Sequence, residues 1–248
     1  MAREIGAFIA VYAAQLKKDV ISMRRIATLL LCLCLLPIPA SASESPKYVA
    51  LTFDDGPSGR FTRRLLEGLK ERDAKVTFFL CGYRLETGAE LAARIRDEGH
   101  EIGLHGYSHK SMKTLTRRQI ASELASTREL LPPDCDPVWL RPPGGCCSDG
   151  VRQVAEVTGL AILDWSVDPR DWATQDTAAV GRSVVSRIQD GDVVLLHDMS
   201  DSSVDAALNI IDELKSQGFQ FVTVSELAKL RDLRPKPGRT YTCFPPEE

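Results

Sequence analysis

One pattern recurs seven times along this 248-residue sequence: a short apolar run is followed by an amphipathic segment. The apolar runs span 48–53, 76–80, 101–104, 138–140, 160–167, 193–196 and 221–224. The segments with helical spacing of apolar residues span 61–72, 89–98, 116–131, 149–158, 176–189, 203–217 and 225–230. Apolar strands that alternate with helices are typical of a parallel sheet. The pattern therefore predicts an α/β fold, either a (β/α) barrel or a doubly wound sheet.

The first 42 residues are not expected to belong to this fold. From Met23 the chain has two arginines, an apolar core over 26–36 and an Ala-x-Ala site ending at Ala42, which is the pattern of a secretory signal peptide. We expect cleavage near Ala42 and a secreted or periplasmic protein. Residues 1–22 are interpreted as an upstream extension from a misplaced start codon, and the alternative is an uncleaved N-terminal membrane anchor. The folded domain is then predicted over 43–231, with an irregular, proline-rich tail over 232–248.

The net charge of the chain narrows the classes of partner that it can bind. The whole chain has a net charge of −3, and its first 42 residues carry five basic and two acidic side chains, so the remaining domain is more acidic. Such a domain is not expected to bind nucleic acid, since that binding depends on neutralising phosphates. No stable protein partner is inferred.

Five cysteines follow the predicted signal peptide, namely Cys81, Cys135, Cys146, Cys147 and Cys243. Either Cys146 and Cys147 pair with distant cysteines, or all five are ordinary thiols.

Reactive side chains stand where the apolar runs end. Each of the positions Asp54-Asp55, His105, Arg141, Asp168 and His197 lies at or just after the end of such a run. In parallel α/β architectures this rim of the sheet is where active sites are built. Residues spread over much of the sequence are therefore predicted to converge on one site.

Each motif has a structural reading beside the catalytic one. Asp54-Asp55 needs a metal ion or an arginine to hold two carboxylates together, but it also fits an Asx-type turn. His105 and His109 lie within reach of one ion. Arg141 precedes a Pro-Gly loop whose amides suit an oxyanion, although ordinary loops look the same. His197 is either a structural histidine or a proton donor oriented by a nearby aspartate.

Together these motifs resemble the polysaccharide deacetylase family, the NodB homology domain of carbohydrate esterase family 4. The resemblance runs from about residue 48 to 227 and rests, in order, on TFDDGP (52–57), HGYSH (105–109), RPPGG (141–145), DWSVDPRDW (164–172) and LLHD (195–198). It implies an irregular (β/α) barrel of about seven strand–helix units. It also implies hydrolysis of N-acetyl groups on an amino-sugar polymer, either peptidoglycan or a chitin-type polymer of N-acetylglucosamine. The alternatives are an O-acetyl esterase acting on xylan and a non-catalytic sugar-binding module.

The resemblance also implies a metal centre. Asp55, His105 and His109 would bind a divalent ion, with zinc expected and cobalt, manganese or nickel as alternatives. Asp54 would be the general base, and Arg141 would orient it.

The remaining roles concern the acid and the substrate pocket. His197 would be the general acid, with Asp171 as its partner and Asp168 as the alternative partner. The amide of Gly144 would stabilise the oxyanion. Trp172 and Leu195 would line the pocket for the acetyl methyl group.

Two positions depart from the family pattern. Gly106 stands where Ser or Thr is usual, which predicts a looser loop between His105 and His109 (the metal loop) or weaker metal binding. Gly144 stands where an aromatic residue is frequent, which predicts a lower groove wall but leaves the backbone amide in place.

Overall fold

A computed structural model describes residues 46–246, together with five helical positions near the N-terminus, Gly6, Gln15, Lys17, Lys18 and Val20. The chain divides into two units, Met1–Ser45 and Pro46–Glu248, and the second contains the strands described here. The predicted signal peptide and its cleavage site lie outside the described residues. Among the helices formed by described residues, none is long and apolar enough to cross a membrane.

Parallel strands form the centre of the domain. In chain order they are β1 Lys47–Asp54, β2 Thr77–Leu80, β3 Glu101–Leu104, β4 Trp139–Leu140, β5 Ala161–Leu163, β6 Val193–His197, β7 Phe219–Phe221 and β8 Thr240–Tyr241. The sheet order is β6-β1-β2-β3-β4-β5-β8, and β7 pairs with the N-terminal part of β1. A parallel bridge between Val167 and Val194 brings the chain after β5 against β6. The sheet therefore curls into an irregular barrel, which confirms the barrel prediction over the doubly wound alternative.

One helix follows each strand from β1 to β7. These helices are α1 Arg60–Glu71, α2 Gly82–Asp97, α3 Arg117–Glu129, α4 Asp149–Val157, α5 Thr177–Val185, α6 Asp201–Ser216 and α7 Val224–Leu230. The seven predicted strand–helix units are thus confirmed. Helix α2 begins earlier than the predicted residue 89, because the amides of Gly82 and Tyr83 donate to the carbonyls of Gly106 and Tyr107 in the loop after β3.

The prediction of a strand over 221–224 was wrong by about two residues. Strand β7 ends at Phe221, and Val224 is already helical. The reason is a capping box at the start of α7, in which Thr223 and Glu226 each bond to the other's backbone amide. An apolar run alone cannot show this change of backbone, since Val fits both elements.

Alternation along the strands separates two cores. On β1, Leu51 and Phe53 belong to a cluster that packs against the helices, whereas Ala50 belongs to a cluster inside the barrel with Phe79 and Trp139. Because side chains alternate along a strand, Asp54 shares the inward face with Ala50. The fold therefore directs the first carboxylate of the Asp-Asp pair into the mouth of the barrel.

The C-terminal segment is more ordered than predicted. Within the tail expected to be irregular, β8 pairs with β5, and the backbone of Cys243 forms an isolated antiparallel β-bridge with Asp192. Phe244 is buried inside the barrel against Trp139. The tail thus contributes to the interior core. All five cysteines of the described domain are free, so the pairing expected for Cys146 and Cys147 with distant cysteines is not formed.

Candidate active site

The mouth of the barrel brings the predicted residues together at the C-terminal ends of the strands. Asp54 is the last residue of β1 and His197 is the last residue of β6, and the two are register partners. His105 follows β3 directly and Arg141 follows β4 directly. Residues far apart in sequence thereby meet at one edge of the sheet, as the pattern predicted.

A fully buried arginine holds Asp54. Nη1 of Arg141 donates to Asp54 Oδ1 at 2.8 Å and to Thr52 Oγ1 at 2.6 Å. The side chains of Arg141 and Asp54 are 0 % and 4 % exposed. A charged group this deeply buried requires an opposite charge and hydrogen bonds, and each of these two groups supplies them to the other.

Backbone carbonyls complete the surroundings of Arg141. Its Nε donates to the carbonyl of Leu163 at 3.1 Å and its Nη2 donates to that of Asp164 at 2.7 Å. The guanidinium also lies 4.3 Å from the centre of the Phe79 ring. Arg141 is thus bonded to β1 and to the end of β5, and its position fixes the orientation of the Asp54 carboxylate.

Asp55, His105 and His109 form a cluster suited to a metal ion. One potential ligand atom from each lies within 4.8 Å of the other two. Oδ1 of Asp55 is 2.9 Å from His109 Nε2 and 3.3 Å from His105 Nε2, yet this buried oxygen receives no hydrogen bond from the described residues. Nδ1 of His105 is 2.7 Å from the carbonyl of Arg141, so it donates there and leaves the Nε2 lone pair facing Asp55.

Backbone conformation places these ligands. Asp55 and His109 have φ angles of 73° and 57°, in the left-handed region that Asp and His adopt more readily than most residues. In a regular strand Asp55 would face away from Asp54, but the left-handed turn redirects it over the strand end. Asp54 thus remains bound to Arg141 while Asp55 turns toward the imidazoles.

Charge coupling follows from this geometry. Burial alone would raise the pKa of Asp55, but the neighbouring imidazoles outweigh burial and hold that pKa well below its usual range. The carboxylate of Asp55 in turn raises the pKa of His109. Asp55 is therefore an anion at every physiological pH, as a carboxylate ligand must be.

Asp171 orients His197. Oδ1 of Asp171 lies 2.9 Å from His197 Nδ1, and Oδ2 accepts from the His197 amide at 2.9 Å. Burial disfavours the charged imidazole, but its hydrogen bond to Asp171 and the charge of that residue raise the pKa of His197 to about 9. Asp168 was the alternative partner, and here the structure requires a correction. Its Oδ1 accepts from the amide of Arg170, which turns the chain in a left-handed conformation.

A cavity of about 450 Å³ opens beside this cluster. It is lined by Asp55, Asp171, Trp172, Gln175, His197 and Met199, among others. The indole of Trp172 is 60 % exposed, so it forms an accessible wall.

Leu195 is buried two positions before His197 on the same strand face. Gly144 follows Arg141 closely and has a left-handed φ of 69°.

The residues that hold the metal loop include one that sequence reasoning missed. The carboxylate of Glu123 in α3 accepts from the amides of Tyr107 and Ser108 and from the Ser108 hydroxyl, at 2.7–2.8 Å. These bonds restrain the 105–109 loop, which the replacement of a hydroxyl residue by Gly106 was expected to loosen. Nothing in the sequence marks Glu123, which is one of many acidic residues on predicted helices.

Two further polar residues, Thr52 and Asp198, lie close to the site residues in sequence and are buried. The hydroxyl of Thr52 accepts from Arg141 and donates to the carbonyl of Val194 at 2.7 Å, which links β1 to β6. Asp198 is fully buried and accepts from the hydroxyl of Thr62, and burial raises the pKa of Asp198 to about 6. Thr52 was noted only as part of a motif, since its role depends on the curvature of the sheet.

Comparisons with known proteins identify the family of this chain. The sequence profile described as "Polysaccharide deacetylase" matches residues 41–163. The chain is 36 % identical to a peptidoglycan-N-acetylglucosamine deacetylase of Bacillus cereus, over 75 % of this chain and 90 % of the relative. It is 34 % identical to the peptidoglycan-N-acetylmuramic acid deacetylase PdaC of Bacillus subtilis, over 76 % of this chain and 40 % of that longer relative.

A solved structure gives the same result for the fold. A family 4 acetyl xylan esterase from Clostridium thermocellum, in complex with a cobalt ion, superposes with a TM-score of 0.74 at 32 % identity. The match covers 80 % of this chain and all of that chain. With the fold, the motifs and these relatives in agreement, the chain belongs to the polysaccharide deacetylase family.

Proposed function

We propose that this protein is an exported, metal-dependent hydrolase that removes N-acetyl groups from an amino-sugar polymer, either peptidoglycan or a chitin-type polymer. One observation carries the proposal. Two separate ion pairs flank a cluster that is suited to a metal ion: Asp54 is paired with Arg141, and Asp171 is paired with His197. A base, an acid and an electrophilic centre are the parts that amide hydrolysis requires.

The base is Asp54. Arg141 occupies its Oδ1, while Oδ2 lies 3.7 Å from His105 Nε2, on the side of the metal cluster. A water molecule beside that cluster can therefore give a proton to Oδ2 as it attacks the acetyl carbon. The buried guanidinium holds the carboxylate in one orientation, so the proton acceptor is in place before the substrate arrives.

The cluster of Asp55, His105 and His109 fits a divalent ion. The donor set has one carboxylate and two imidazoles, as catalytic zinc sites do, and the buried Asp55 Oδ1 without a hydrogen bond is an oxygen that an ion would satisfy. A bound ion would polarise the acetyl carbonyl and acidify the attacking water. The ring of His105 is already oriented by its Nδ1 bond to the Arg141 carbonyl.

His197 is assigned the leaving-group step. Its raised pKa means that the imidazole is protonated at neutral pH, and a proton must be delivered to the amine as the C–N bond breaks. Asp171 holds Nδ1, so Nε2 is the nitrogen that donates. The amide of Gly144 is assigned to the oxyanion, and Trp172 with Leu195 to the wall around the acetyl methyl group.

An O-acetyl esterase is the second candidate, and the similarity to the acetyl xylan esterase of Clostridium thermocellum favours it. The same base and metal cluster can serve ester hydrolysis, in which the leaving group is an alcohol instead of an amine. A sugar-binding module without activity is a weaker candidate, because binding alone requires neither the buried Asp54–Arg141 pair nor a cationic His197.

The test is acetate release by the purified protein, after chelation and after zinc is restored. Substrates are N-acetylglucosamine oligomers, peptidoglycan and acetylated xylan. The proposal expects zinc-restored release from at least one of the first two, together with free amine. Release from xylan alone would assign the protein to ester hydrolysis.

Three variants assign the roles. Asp54→Asn and His197→Ala are each expected to bind zinc while losing most of the turnover, by a factor of about 10² or more. Asp168→Asn is the matched control, since Asp168 lies in the same segment as Asp171 but bonds to Arg170 instead of His197. Loss of zinc in His197→Ala, or full activity in Asp54→Asn, would overturn the corresponding assignment.

A further inference from the structure

Asp198, which directly follows the proposed acid His197, is a buried carboxylate to which the proposed mechanism gives no task. Its side chain is 0 % exposed. Oδ2 accepts from the hydroxyl of Thr62 in the first turn of α1, and Oδ1 receives no hydrogen bond from the described residues. Burial of a carboxylate is costly unless hydrogen bonds offset that cost, so the contact with Thr62 indicates what Asp198 does.

The hydroxyl of Thr62 links Asp198 to the turn that follows β1. A hydroxyl has a single proton, which Thr62 donates to Asp198, so its lone pairs remain free to accept. They accept from the backbone amide of Ser58 at 2.6 Å. The carboxylate therefore fixes the direction in which the hydroxyl faces, and the hydroxyl in turn holds the backbone of Ser58.

Gly56, in the same turn, lies directly against this carboxylate. A Cβ added at residue 56 would be 2.9 Å from Asp198 Oδ1 and 3.1 Å from Asp198 Oδ2, so the carboxylate fills the space that a side chain there would occupy. The carbonyl of Gly56 accepts from the amide of Cys81 at 3.0 Å. Asp198 thus acts on the turn at residue 56 by packing and at residue 58 through Thr62.

The metal ligand Asp55 stands at the start of this turn. It leaves the strand with a φ of 73°, and this left-handed conformation directs its carboxylate toward the imidazoles of the metal cluster. Such a conformation is disfavoured for a residue other than glycine, so contacts after it must hold it. Asp54, by contrast, lies within β1 and is bonded to Arg141. The contacts of Asp198 therefore bear on the ligand and not on the base.

We propose that Asp198 is a positioning residue for the metal centre: through Thr62 it holds the turn over residues 56–58, and this turn holds Asp55 facing the imidazoles. The inference rests on the proposed function and adds a support for its metal site. Partners that orient metal ligands in this way contribute to metal affinity. Under this proposal the segment after β6 has two tasks, since residue 197 gives a proton and residue 198 supports a ligand.

The experiment removes the hydroxyl that joins the two segments. Thr62→Val keeps the shape of the side chain but loses both hydrogen bonds, and zinc affinity is measured by competition with a chromophoric chelator. We expect zinc binding about 10–100-fold weaker than in the native protein. Thr62→Ser retains the hydroxyl and should restore most of the affinity. At saturating zinc, Thr62→Val should recover most of the native kcat with little change in KM, because Asp54 and His197 are held by other partners.

Thr77→Val is the matched control at the opposite end of the barrel. Thr77 begins β2 and is also 0 % exposed. Its hydroxyl likewise donates to a buried carboxylate, Glu101 Oε2 at 2.9 Å, and accepts from a backbone amide, that of Val224 at 3.0 Å. Both variants should lower the urea midpoint of unfolding, but Thr77→Val should bind zinc like the native protein. An equal loss of zinc affinity in the two variants would overturn the proposal.

A second variant tests whether Asp198 acts through Thr62. Asp198→Ala should weaken zinc binding about as much as Thr62→Val, and the double variant should be no weaker than either single variant, because both changes break the same chain of hydrogen bonds. Weaker binding in Asp198→Ala with native affinity in Thr62→Val would assign the effect to the charge of residue 198 alone. That result, or additive losses in the double variant, would overturn the proposal.

Zinc binding distinguishes this proposal from the proposed function, since it is measured without a substrate. Affinity that is lost in Thr62→Val and regained in Thr62→Ser would support the role of Asp198 even if no glycan released acetate. The lack of release would then overturn the hydrolase assignment alone. Acetate release by the native protein, with unchanged zinc affinity in Thr62→Val, would overturn the positioning role alone. Failure of the native protein to bind zinc would overturn both.

Discussion

Asp54 and His197, the proposed base and acid, stand opposite each other as register partners in the adjacent parallel strands β1 and β6. Neither side chain depends on a flexible loop for its position, because each is the last residue of its strand. Their partners come from further around the barrel, Arg141 after β4 and Asp171 after β5. The two ionic pairs are therefore supported by separate elements, and each can be tested separately.

The first prediction concerns the buried pair of Asp54 and Arg141. Arg141→Met leaves a buried carboxylate without its cation, and we expect it to lower the free energy of unfolding by about 3–5 kcal/mol. Asp54→Asn introduced into that variant removes the stranded charge. Urea unfolding should therefore show the double variant to be more stable than Arg141→Met, by at least about 1 kcal/mol. A double variant that is less stable than Arg141→Met would contradict this account.

The second prediction concerns pH and His197. Its pKa is raised from 6.5 to about 9 in the folded protein, so the protonated imidazole stabilises the fold. That contribution is complete below about pH 6.5 and disappears as the pH rises through 9. By linkage it amounts to about 3 kcal/mol. Asp171→Asn should remove it, so the difference in unfolding free energy between the two proteins should shrink between pH 6.5 and 9.

The same ionisation of His197 should appear in the dependence of kcat on pH. If His197 delivers a proton, kcat falls on the basic side of the profile near pH 9 in the native protein. In Asp171→Asn the cation loses its partner while burial remains, so this limb should move to lower pH. An unchanged basic limb in the variant would show that another group limits the rate.

The third prediction concerns Glu123, whose carboxylate holds the loop between His105 and His109 through three hydrogen bonds. Glu123→Ala should weaken zinc binding by about 10–100-fold, as loss of residues that support metal ligands typically does. Affinity is measured by competition with a chromophoric chelator. Glu129→Gln, on an exposed position of the same helix, is the control and should bind zinc like the native protein.

The fourth prediction concerns Gly106, where the family pattern suggested that a hydroxyl residue would tighten the loop. Gly106 has a φ of 78°, and an added Cβ would lie 2.9 Å from Met112 Cε. We therefore expect Gly106→Ser to destabilise the protein by about 1–2 kcal/mol without improving zinc affinity. Gly159→Ser is the matched control, because Gly159 has a φ of 76° and open space around its Cβ position. Tighter zinc binding in Gly106→Ser would contradict the prediction.

The strand–helix pattern was sufficient to predict parallel strands that deliver Asp54 and His197 to one rim, and the family resemblance selected the barrel over the doubly wound sheet. The family resemblance favoured Asp171 over Asp168 as the partner of His197, but the residue types alone do not decide between them, since that choice depends on the left-handed turn at Arg170. Glu123 and the strand Thr240–Tyr241 were missed for a related reason. Their roles arise from contacts with segments far away in the sequence, and their own residue types carry no sign of those contacts.

Two of the acceptors around Arg141 are the main-chain carbonyls of residues 163 and 164, and this has an evolutionary consequence. Every amino acid supplies a carbonyl, so replacement of the side chains at these two positions leaves both hydrogen bonds available. Part of the orientation of Asp54 is thereby insulated from mutation. A substitution at residue 163 or 164 that keeps the backbone path at the end of β5 is therefore expected to spare the chemistry at the end of β1.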